Sequence, residues 1–304
     1  MKSKQCEPLE APLLTEATDP PAHIERFNKK MKTLRIATCV TVLATLSSAW
    51  CAESSSVGNN TQNTPSDQVD VAMATIPSGS YVPLYTTDKT PRKVSRFKID
   101  KFPVTKREYL DFVLENPKWQ RSKVSGLFAD DSYLQDWKSD TEPGDDLSSP
   151  VTNVSWFAAR AYAKSKGKRL PSVDEWEYIA RANETEHDAT SDSEYTKVIL
   201  EWYSARRPDT LPQAKTFPAN VYGVYAMHGL IWEWNEDFNN AMVTGESRGD
   251  SGIERNLFCA GGALTATDVS NYAAFMRYAF RSSLKGNYTT ETLGFRCAAD
   301  APAE

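Results

Sequence analysis

The chain has 304 residues, of which 40% are hydrophobic and 25% charged, values that exclude a disordered or fibrous protein for the bulk of it. Lys and Arg number 35 against 40 Asp and Glu, and the resulting net charge of −5 argues against nucleic-acid binding as the main function. The three histidines are too few for a metal site built from several of them.

Residues 1–70 predict a leader and a linker rather than a fold. Residues 1–30 are polar and have no helical or strand period, and we interpret them as a non-structural leader or an over-long start. Residues 31–52 open on Met31 with a basic stretch, continue with an apolar run of about a dozen residues and end on small residues, a pattern typical of a signal peptide. Residues 53–70 read as a polar linker.

The export signal determines where the protein is expected to work. The apolar run is shorter than the roughly 20 residues of a membrane span, so contact with the membrane is expected only if the signal stays uncleaved. We therefore expect a periplasmic or secreted protein with one folded domain over 71–300. That domain keeps two cysteines, Cys259 and Cys297. In an oxidising compartment they favour one disulfide, and the alternative is a pair of thiols that binds Cu(I).

The first elements of this domain are two strands and a helix. Strands are predicted at 71–76 and at 96–100, where polar and apolar residues alternate. The helix begins after Thr105, which is followed three residues later by Glu108 and so predicts a capping box. The Asn-Pro pair ending at Pro117 stops this helix.

Two further helices are predicted before the signals weaken. One begins after Ser155 and ends near Gly167, a residue type favoured just beyond a helix C-terminus. The next begins after Ser172, which with Glu175 predicts a second capping box. Helix signals fade after residue 195. We therefore expect an α+β fold with three short helices and low regular secondary-structure content.

Several segments, in a fixed order, resemble a known family. They are VTKREYLDF, SPVTNVSWFAARAYAKSKGKRLPSVDEWEYIAR, YGVYAMHGLIWEWNEDF, GGAL, FRSS and LGFRCA. Over about residues 72–299 the chain is similar to the sulfatase-modifying-factor domain of the formylglycine-generating enzyme family. This resemblance implies a formylglycine-generating-enzyme-like fold that elaborates a C-type-lectin-like core. The segments IPSGSYVPLY, ILEWYS and VTGESRGDSG resemble, more narrowly, the nitrite-reductase accessory proteins (NirV type), which occur beside copper nitrite reductases.

The resemblance also implies what this chain lacks. Family members that generate formylglycine bind Cu(I) through two cysteines shortly after a Gly-Gly pair. Here no cysteine follows Gly262 as far as Tyr272, and neither Ala266 nor Asn271 can replace a thiolate. We therefore assign no catalytic residue and expect neither copper nor formylglycine-generating activity. The family's structural disulfide partner is replaced by Ala163, which implies a re-wired Cys259–Cys297 bridge.

A calcium site of the family is partly matched. The carbonyls of Gly229 and Ile231 and the side chain of Glu233 remain, whereas Ala226 stands where the family supplies a coordinating side chain. Calcium takes six to eight oxygen ligands, so losing one weakens the site. The alternative is that Glu233 caps backbone amides or pairs with an arginine.

The resemblance places a candidate pocket on the segment after the glycines. Arg277, Tyr278 and Arg281 fall where the family lines its substrate groove, and arginine can hold a peptide carbonyl or carboxylate. The alternative is a structural salt bridge, for example to Glu233 or Asp237. His228 and Trp234 complete the candidate set, although a structural histidine and a core tryptophan are the commoner outcomes.

The predicted function is an exported accessory, maturation or binding factor. By family analogy its protein partner is a copper nitrite reductase, and no nucleic-acid partner is expected. One alternative is a metal-dependent oxidase or protein-modifying enzyme with a divergent site. The other is a lectin-like binder of glycans or peptides that uses an aromatic groove.

Overall fold

A computed structural model describes residues 72–84, 90–239 and 269–302, without the side chains of 269–271. The predicted leader, signal peptide and linker, the Gly-Gly pair and Cys259 lie outside these residues. No helix in the described ranges is long and apolar enough to cross a membrane.

In the part of the chain that the structure describes, short strands form three small sheets that bring distant segments together. The largest sheet is antiparallel, with the strand order β1-β4-β7, so it joins the two ends of the described region. The predicted strands at 71–76 and 96–100 are confirmed as β1 and β4. The pair β2–β3 is antiparallel and the pair β5–β6 is parallel. The strands are β1 (Met73–Ile76), β2 (Gly79–Tyr81), β3 (Arg92–Val94), β4 (Phe97–Asp100), β5 (Trp232–Glu233), β6 (Leu293–Gly294) and β7 (Ala298–Asp300).

The three predicted helices are confirmed, each with its predicted cap. They are α1 (Lys106–Glu115), α2 (Trp156–Ser165) and α3 (Val173–Ala180). Thr105 and Glu108 form a reciprocal capping box, in which the Glu108 carboxylate accepts from the Thr105 N–H at 2.8 Å. The same arrangement links Ser172 and Glu175 at the start of α3.

The expectation that helix signals fade after residue 195 is wrong. Within the described ranges two more α-helices follow, α4 (Ser193–Ser204) and α5 (Val269–Ser283). The side chain of Asp192 caps α4 by accepting from the backbone N–H groups of Glu194 and Tyr195. The inward positions of α5 include Ala273, Arg277 and Arg281, spaced four residues apart and all buried. Two of the three are arginines, so a hydropathy pattern would assign this face of α5 to solvent and not to the core.

The largest core cluster is rich in aromatic residues and packs around α1 and α2. Tyr109 and Tyr133 are both buried, and their hydroxyls are 2.7 Å apart. Tyr133 donates to the carbonyl of Trp119 at 2.9 Å, so Tyr109 donates to Tyr133 and both phenols are satisfied. A second cluster lies between the β1-β4-β7 sheet and α3. This second cluster includes Trp176, Ile179 and Ala180, and it therefore fixes α3 at the position from which it contributes to the candidate site.

Candidate functional site

The candidate site is built on the inward face of α3. Val173, Trp176, Glu177 and Ala180 follow the i, i+3, i+4, i+7 spacing of one helical face, and all are buried. Glu177 is therefore a carboxylate on an otherwise apolar stripe, with only 4% of its surface exposed. The sequence analysis did not single out Glu177. The helical spacing of Glu177 from Val173, Trp176 and Ala180 is the sequence signal that would have found it.

Two arginines of α5 converge on this carboxylate. Arg277 holds Glu177 in a bidentate pair, with Nε 3.0 Å from Oε1 and Nη2 2.8 Å from Oε2. Arg281 donates to Glu177 Oε1 at 2.6 Å through Nη1 and to Asn235 Oδ1 at 2.9 Å through Nε. Both arginines are at least nine-tenths buried. The structure thus joins Arg277 and Arg281, as the sequence suggested, but their carboxylate partner is Glu177 and not Glu233 or Asp237.

The electrostatics of this cluster follow from burial and pairing. Burial alone would raise the pKa of Glu177, but the charges of Arg277 and Arg281 lower it well below its usual range. Burial alone would lower the pKa of Arg277, and the facing Glu177 instead raises it well above its usual value. Glu177 and Arg277 are therefore charged at neutral pH, and two guanidinium groups share one carboxylate.

His228 lies beside the cluster in an uncharged state. Burial, followed by the charge of Arg277, lowers its pKa to about 3. Its Nε2 lies 2.9 Å from the carbonyl oxygen of Ala180, which fixes Nε2 as the protonated nitrogen and as the donor. Its Nδ1 is buried and has no hydrogen-bond partner in the described part of the chain. The ring stands edge-on to Trp176, with the centroids 5.5 Å apart.

A small cavity opens next to the cluster and is walled by aromatic rings. Its volume is about 10 Å³, enough for one water-sized group. Arg277, Arg281 and His228 all line it, together with Glu233. Its aromatic wall consists of Trp176, Trp202, Trp232 and Phe280. In this wall Trp232 stacks on Phe280 with the centroids 4.4 Å apart, and Tyr203 stacks on Trp232 at 4.8 Å.

Two predicted pocket residues lie apart from this cavity. Trp234 is fully buried in the core around α2, where its Nε1 donates to the carbonyl of Val154 at 2.8 Å. Tyr278 is partly buried on α5, and burial raises the pKa of its hydroxyl. Neither residue is part of the cavity lining. The structure therefore brings together three of the five residues of the predicted pocket.

Glu233, the predicted calcium ligand, is engaged by an arginine and a tryptophan. Arg296 Nη2 lies 2.8 Å from Glu233 Oε1, and both side chains are completely buried. Trp176 Nε1 donates to Glu233 Oε2 at 2.8 Å. The Arg296 guanidinium also donates to backbone carbonyls, among them that of Tyr225 at 2.9 Å. A calcium ion at Glu233 would have to displace this guanidinium, so the side chains present here do not fit the ion.

The described ranges hold little else that suggests a metal. No group of three or more His, Cys, Asp or Glu residues is placed there to hold an ion. Cys297 is fully buried and forms no disulfide within the described residues, and burial, followed by the nearby charge of Asp100, raises the pKa of its thiol well above its usual value. Ala163 belongs to the same core cluster. The predicted partner Cys259 lies outside the described residues, so the disulfide stays a prediction.

The fold and the site define an α+β domain with a buried guanidinium–carboxylate cluster beneath an aromatic wall. Residues 55–301 match the family described as the sulfatase-modifying factor enzyme 1-like domain. The match covers most of the chain, which therefore belongs to this family. The resemblance noted from the sequence is thereby confirmed at the level of the family, whereas the C-type-lectin-like description and the nitrite-reductase accessory branch stay predictions.

Named relatives include formylglycine-generating enzymes and a protein described as an inactive one. The chain is 27% identical to the "Inactive C-alpha-formylglycine-generating enzyme 2" of Bos taurus over 68% of this chain and 78% of that protein. It is 33% identical to the formylglycine-generating enzyme of Streptomyces coelicolor over 50% of this chain and 53% of that enzyme, so it spans about half of the enzyme's length. The crystal structure of CarF covers 76% of this chain and 98% of that chain, with a TM-score of 0.43 and 17% identity.

Proposed function

We propose that this chain is an exported accessory or binding protein built on a formylglycine-generating-enzyme-like domain, and that it serves the maturation of a copper nitrite reductase. In this role the domain recognises a partner protein and does not oxidise its cysteines. The chemistry of the site supports the binding role. The choice of a copper nitrite reductase as the partner rests on the family resemblance.

The observation that carries the binding role is the charge state of the cluster. General acid–base catalysis needs a group whose pKa lies near the working pH. In this cluster the pKa of Glu177 is far below neutrality, that of Arg277 far above it, and that of His228 about 3. Glu177 and Arg277 therefore stay charged and His228 stays neutral from mildly acidic to alkaline pH. Such a cluster is better suited to holding a binding surface of the domain in a fixed position than to transferring protons in a catalysed reaction.

The sequence supports the same conclusion independently. No cysteine stands in the stretch from Gly262 to Tyr272, where the family's active members bind copper. A relative similar over two thirds of this chain is described as an inactive formylglycine-generating enzyme. Both observations favour a protein that keeps the domain without the oxidase chemistry.

Export and the partner are tested together by complementation. In a strain that carries a copper nitrite reductase, the gene for this chain is deleted, and the copper content and activity of the purified reductase are measured. The full chain is expected to restore both quantities. A variant without residues 31–52 keeps the domain but lacks the signal, and it is expected to restore neither. A reductase that is fully loaded with copper in the deletion strain would refute the proposed partner.

The oxidase alternative is tested on the purified mature chain. Its thiols are counted with and without Cu(I), and a cysteine-containing sulfatase peptide is incubated with it and analysed by mass spectrometry. The proposal expects no bound copper and an unchanged peptide cysteine. Two free thiols that carry one copper ion, together with conversion of the peptide, would instead identify the protein as a copper-dependent oxidase.

A second candidate is a glycan or peptide binder, and the aromatic wall favours it. Trp202, Trp232 and Phe280 are all partly exposed. Trp232 stacks on Phe280, and such a partly exposed pair offers a flat apolar surface to a ligand. This candidate predicts a saturable change in tryptophan fluorescence with a glycan or peptide in the absence of metal. Trp232→Leu should abolish the change, whereas the buried-core variant Trp234→Phe should keep it.

A further inference from the structure

A turn on the surface exposes two large apolar side chains that are adjacent in the chain. Leu127 is 80% exposed and Phe128 is 46% exposed. The backbone of the turn is hydrogen-bonded, because the N–H of Phe128 donates to the carbonyl of Ser125 at 2.8 Å. The Phe128 ring packs edge-on against Trp119 and Phe157, with the centroids 6.1 and 5.5 Å apart. These contacts hold the turn in place, and Leu127 protrudes from it.

A third exposed apolar side chain lies next to this turn. Tyr288 is 42% exposed, and the residue before it, Asn287, contacts the turn. The Asn287 Nδ2 group donates to the carbonyl of Gly126 at 3.4 Å, and the Asn287 carbonyl accepts from the N–H of Asp130 at 2.9 Å. Exposed apolar residues that lie together mark an interaction site, whereas single scattered ones do not. We define the Leu127 patch as Leu127, Phe128 and Tyr288.

Basic side chains accompany the Leu127 patch. The two chain segments that form it, 117–128 and 283–289, contain no Asp or Glu. One of their lysines, Lys285, lies over the Tyr288 ring, with Nζ 5.7 Å from the ring centroid. The exposed cations of the two segments are Lys118, Arg121, Lys123 and Lys285. The surface around the patch is therefore basic, on a chain whose net charge is −5.

Three carboxylates adjoin these segments and do not cancel their charge. Asp130 accepts from the N–H of Thr289 at 3.1 Å, and Asp140 accepts from the N–H of Ser122 at 2.8 Å. Asp131 is exposed. Four cations against three carboxylates leave an excess of positive charge, and the cations belong to the segments that carry the apolar side chains.

The shape of the Leu127 patch favours a lipid bilayer over a folded protein as the binding partner. Anchors in protein–protein interfaces fill well-packed pockets, and neither of the two cavities in the described residues is lined by a residue of the patch. A protruding apolar tip with flanking cations suits the boundary of an anionic bilayer. There the apolar side chains enter the acyl layer, and Lys and Arg stay at the level of the phosphate groups.

We propose that the Leu127 patch is a peripheral membrane-binding surface, which inserts Leu127 and Phe128 into an anionic bilayer and places Lys123 and Lys285 against the lipid phosphates. The sequence analysis expected membrane contact only through an uncleaved signal, whereas this surface acts after the signal has been removed. The contact is reversible, because one turn buries little apolar area. It does not depend on which protein is the partner.

The first test is cosedimentation of the purified mature protein with vesicles. Vesicles of equal parts phosphatidylglycerol and phosphatidylcholine should bind the protein, and vesicles of phosphatidylcholine alone should bind it much more weakly. Each cation near an anionic surface strengthens binding about fivefold, so Lys123→Gln and Lys285→Gln should each lower the partition coefficient by about that factor. Added sodium chloride should weaken the binding, because it screens these charges.

Variants of Leu127 test the apolar contact. Leu127→Ser should lower the partition coefficient about tenfold, because the side chain no longer gains from leaving water. Leu127→Trp should retain the binding, since tryptophan is favoured at the membrane interface. The matched control is Val198→Ser on α4, where Val198 is also exposed but lies between Glu194 and Glu201 on the helix surface. It should bind like the wild type, and all variants share one N-terminus, so the leader cannot cause a difference between them.

Three results would overturn the proposal. The first is equal binding of Leu127→Ser and Val198→Ser, because the protein would then reach the vesicles through another surface. The second is equal binding to the two kinds of vesicle with no effect of Lys123→Gln, which would contradict the role of charge. The third is no binding to either kind of vesicle. If Leu127→Ser then also failed to restore the copper content of the reductase, the patch would be a docking surface for a protein and not for a membrane.

Discussion

Replacing Glu177 with glutamine is the sharpest test of the buried cluster. The change preserves the shape of the side chain but removes the negative charge that faces Arg277 and Arg281, with contacts between 2.6 and 3.3 Å. Two guanidinium groups would then remain buried without a counter-charge. Removing one partner of a buried ion pair typically costs about 3–5 kcal/mol, and we expect Glu177→Gln to lower the free energy of unfolding by that amount.

The measurement is urea-induced unfolding of the mature protein, followed by tryptophan fluorescence. Glu194→Gln is the matched control, since Glu194 is exposed and faces Lys197 at 3.9 Å on the surface of α4. Exposed pairs of this kind contribute about 0.3–0.5 kcal/mol, so the control should unfold almost like the wild type. The slope of the transition should be the same in all three proteins, because the surface exposed on unfolding does not change.

The effect of Glu177→Gln should depend on pH in a defined direction. The pKa of Glu177 is lowered in the folded chain, so the stability it contributes is present above its unfolded pKa of about 4.3 and is lost as pH falls through the folded pKa. The difference between wild type and variant should therefore be constant from pH 6 to 8 and shrink below about pH 4. A difference below about 1 kcal/mol at pH 7, or one that grows on acidification, would refute the reasoning.

Three further predictions concern packing, capping and metal. Gly294→Ala should destabilise by about 1–3 kcal/mol, because its Cβ would collide with the Val151 carbonyl, whereas Gly126→Ala, with nothing within 4 Å, should stay within about 0.5 kcal/mol. Ser172→Ala removes the α3 cap and should lower the urea-derived free energy of unfolding by about 1 kcal/mol; an unchanged value would contradict the capping box. Added calcium or a chelator should leave the melting temperature unchanged, because Arg296 pairs with Glu233. A rise in the melting temperature with calcium would show that the ion displaces Arg296 from Glu233.

Part of the fold could be predicted because the signals are local. A capping box links residues three apart, so Thr105 with Glu108 and Ser172 with Glu175 could be recognised without knowing the fold. The last helix could not be recognised in this way, since its buried face carries Arg277 and Arg281 in place of apolar residues. A hydropathy pattern marks arginine as exposed, and only a buried carboxylate elsewhere reverses that assignment.

The candidate site shows the same division between local and tertiary information. The sequence identified Arg277, Arg281 and Glu233 as candidate site residues, but it could not predict which ion-pair partner each of them has. The partners were decided by packing: Glu177 lies 100 residues from Arg277, and Arg296 lies 63 residues from Glu233.

The sequence by itself determined the family, the start of each early helix and the absence of cysteines after the Gly-Gly pair. Only the tertiary structure decided that Glu177 faces two arginines and that Arg296 forms an ion pair with Glu233. It also decided that Trp234 belongs to the core. The physical reason is that caps depend on residues within one turn. Ion pairs between distant segments depend on which side chains the packed core brings within hydrogen-bonding distance.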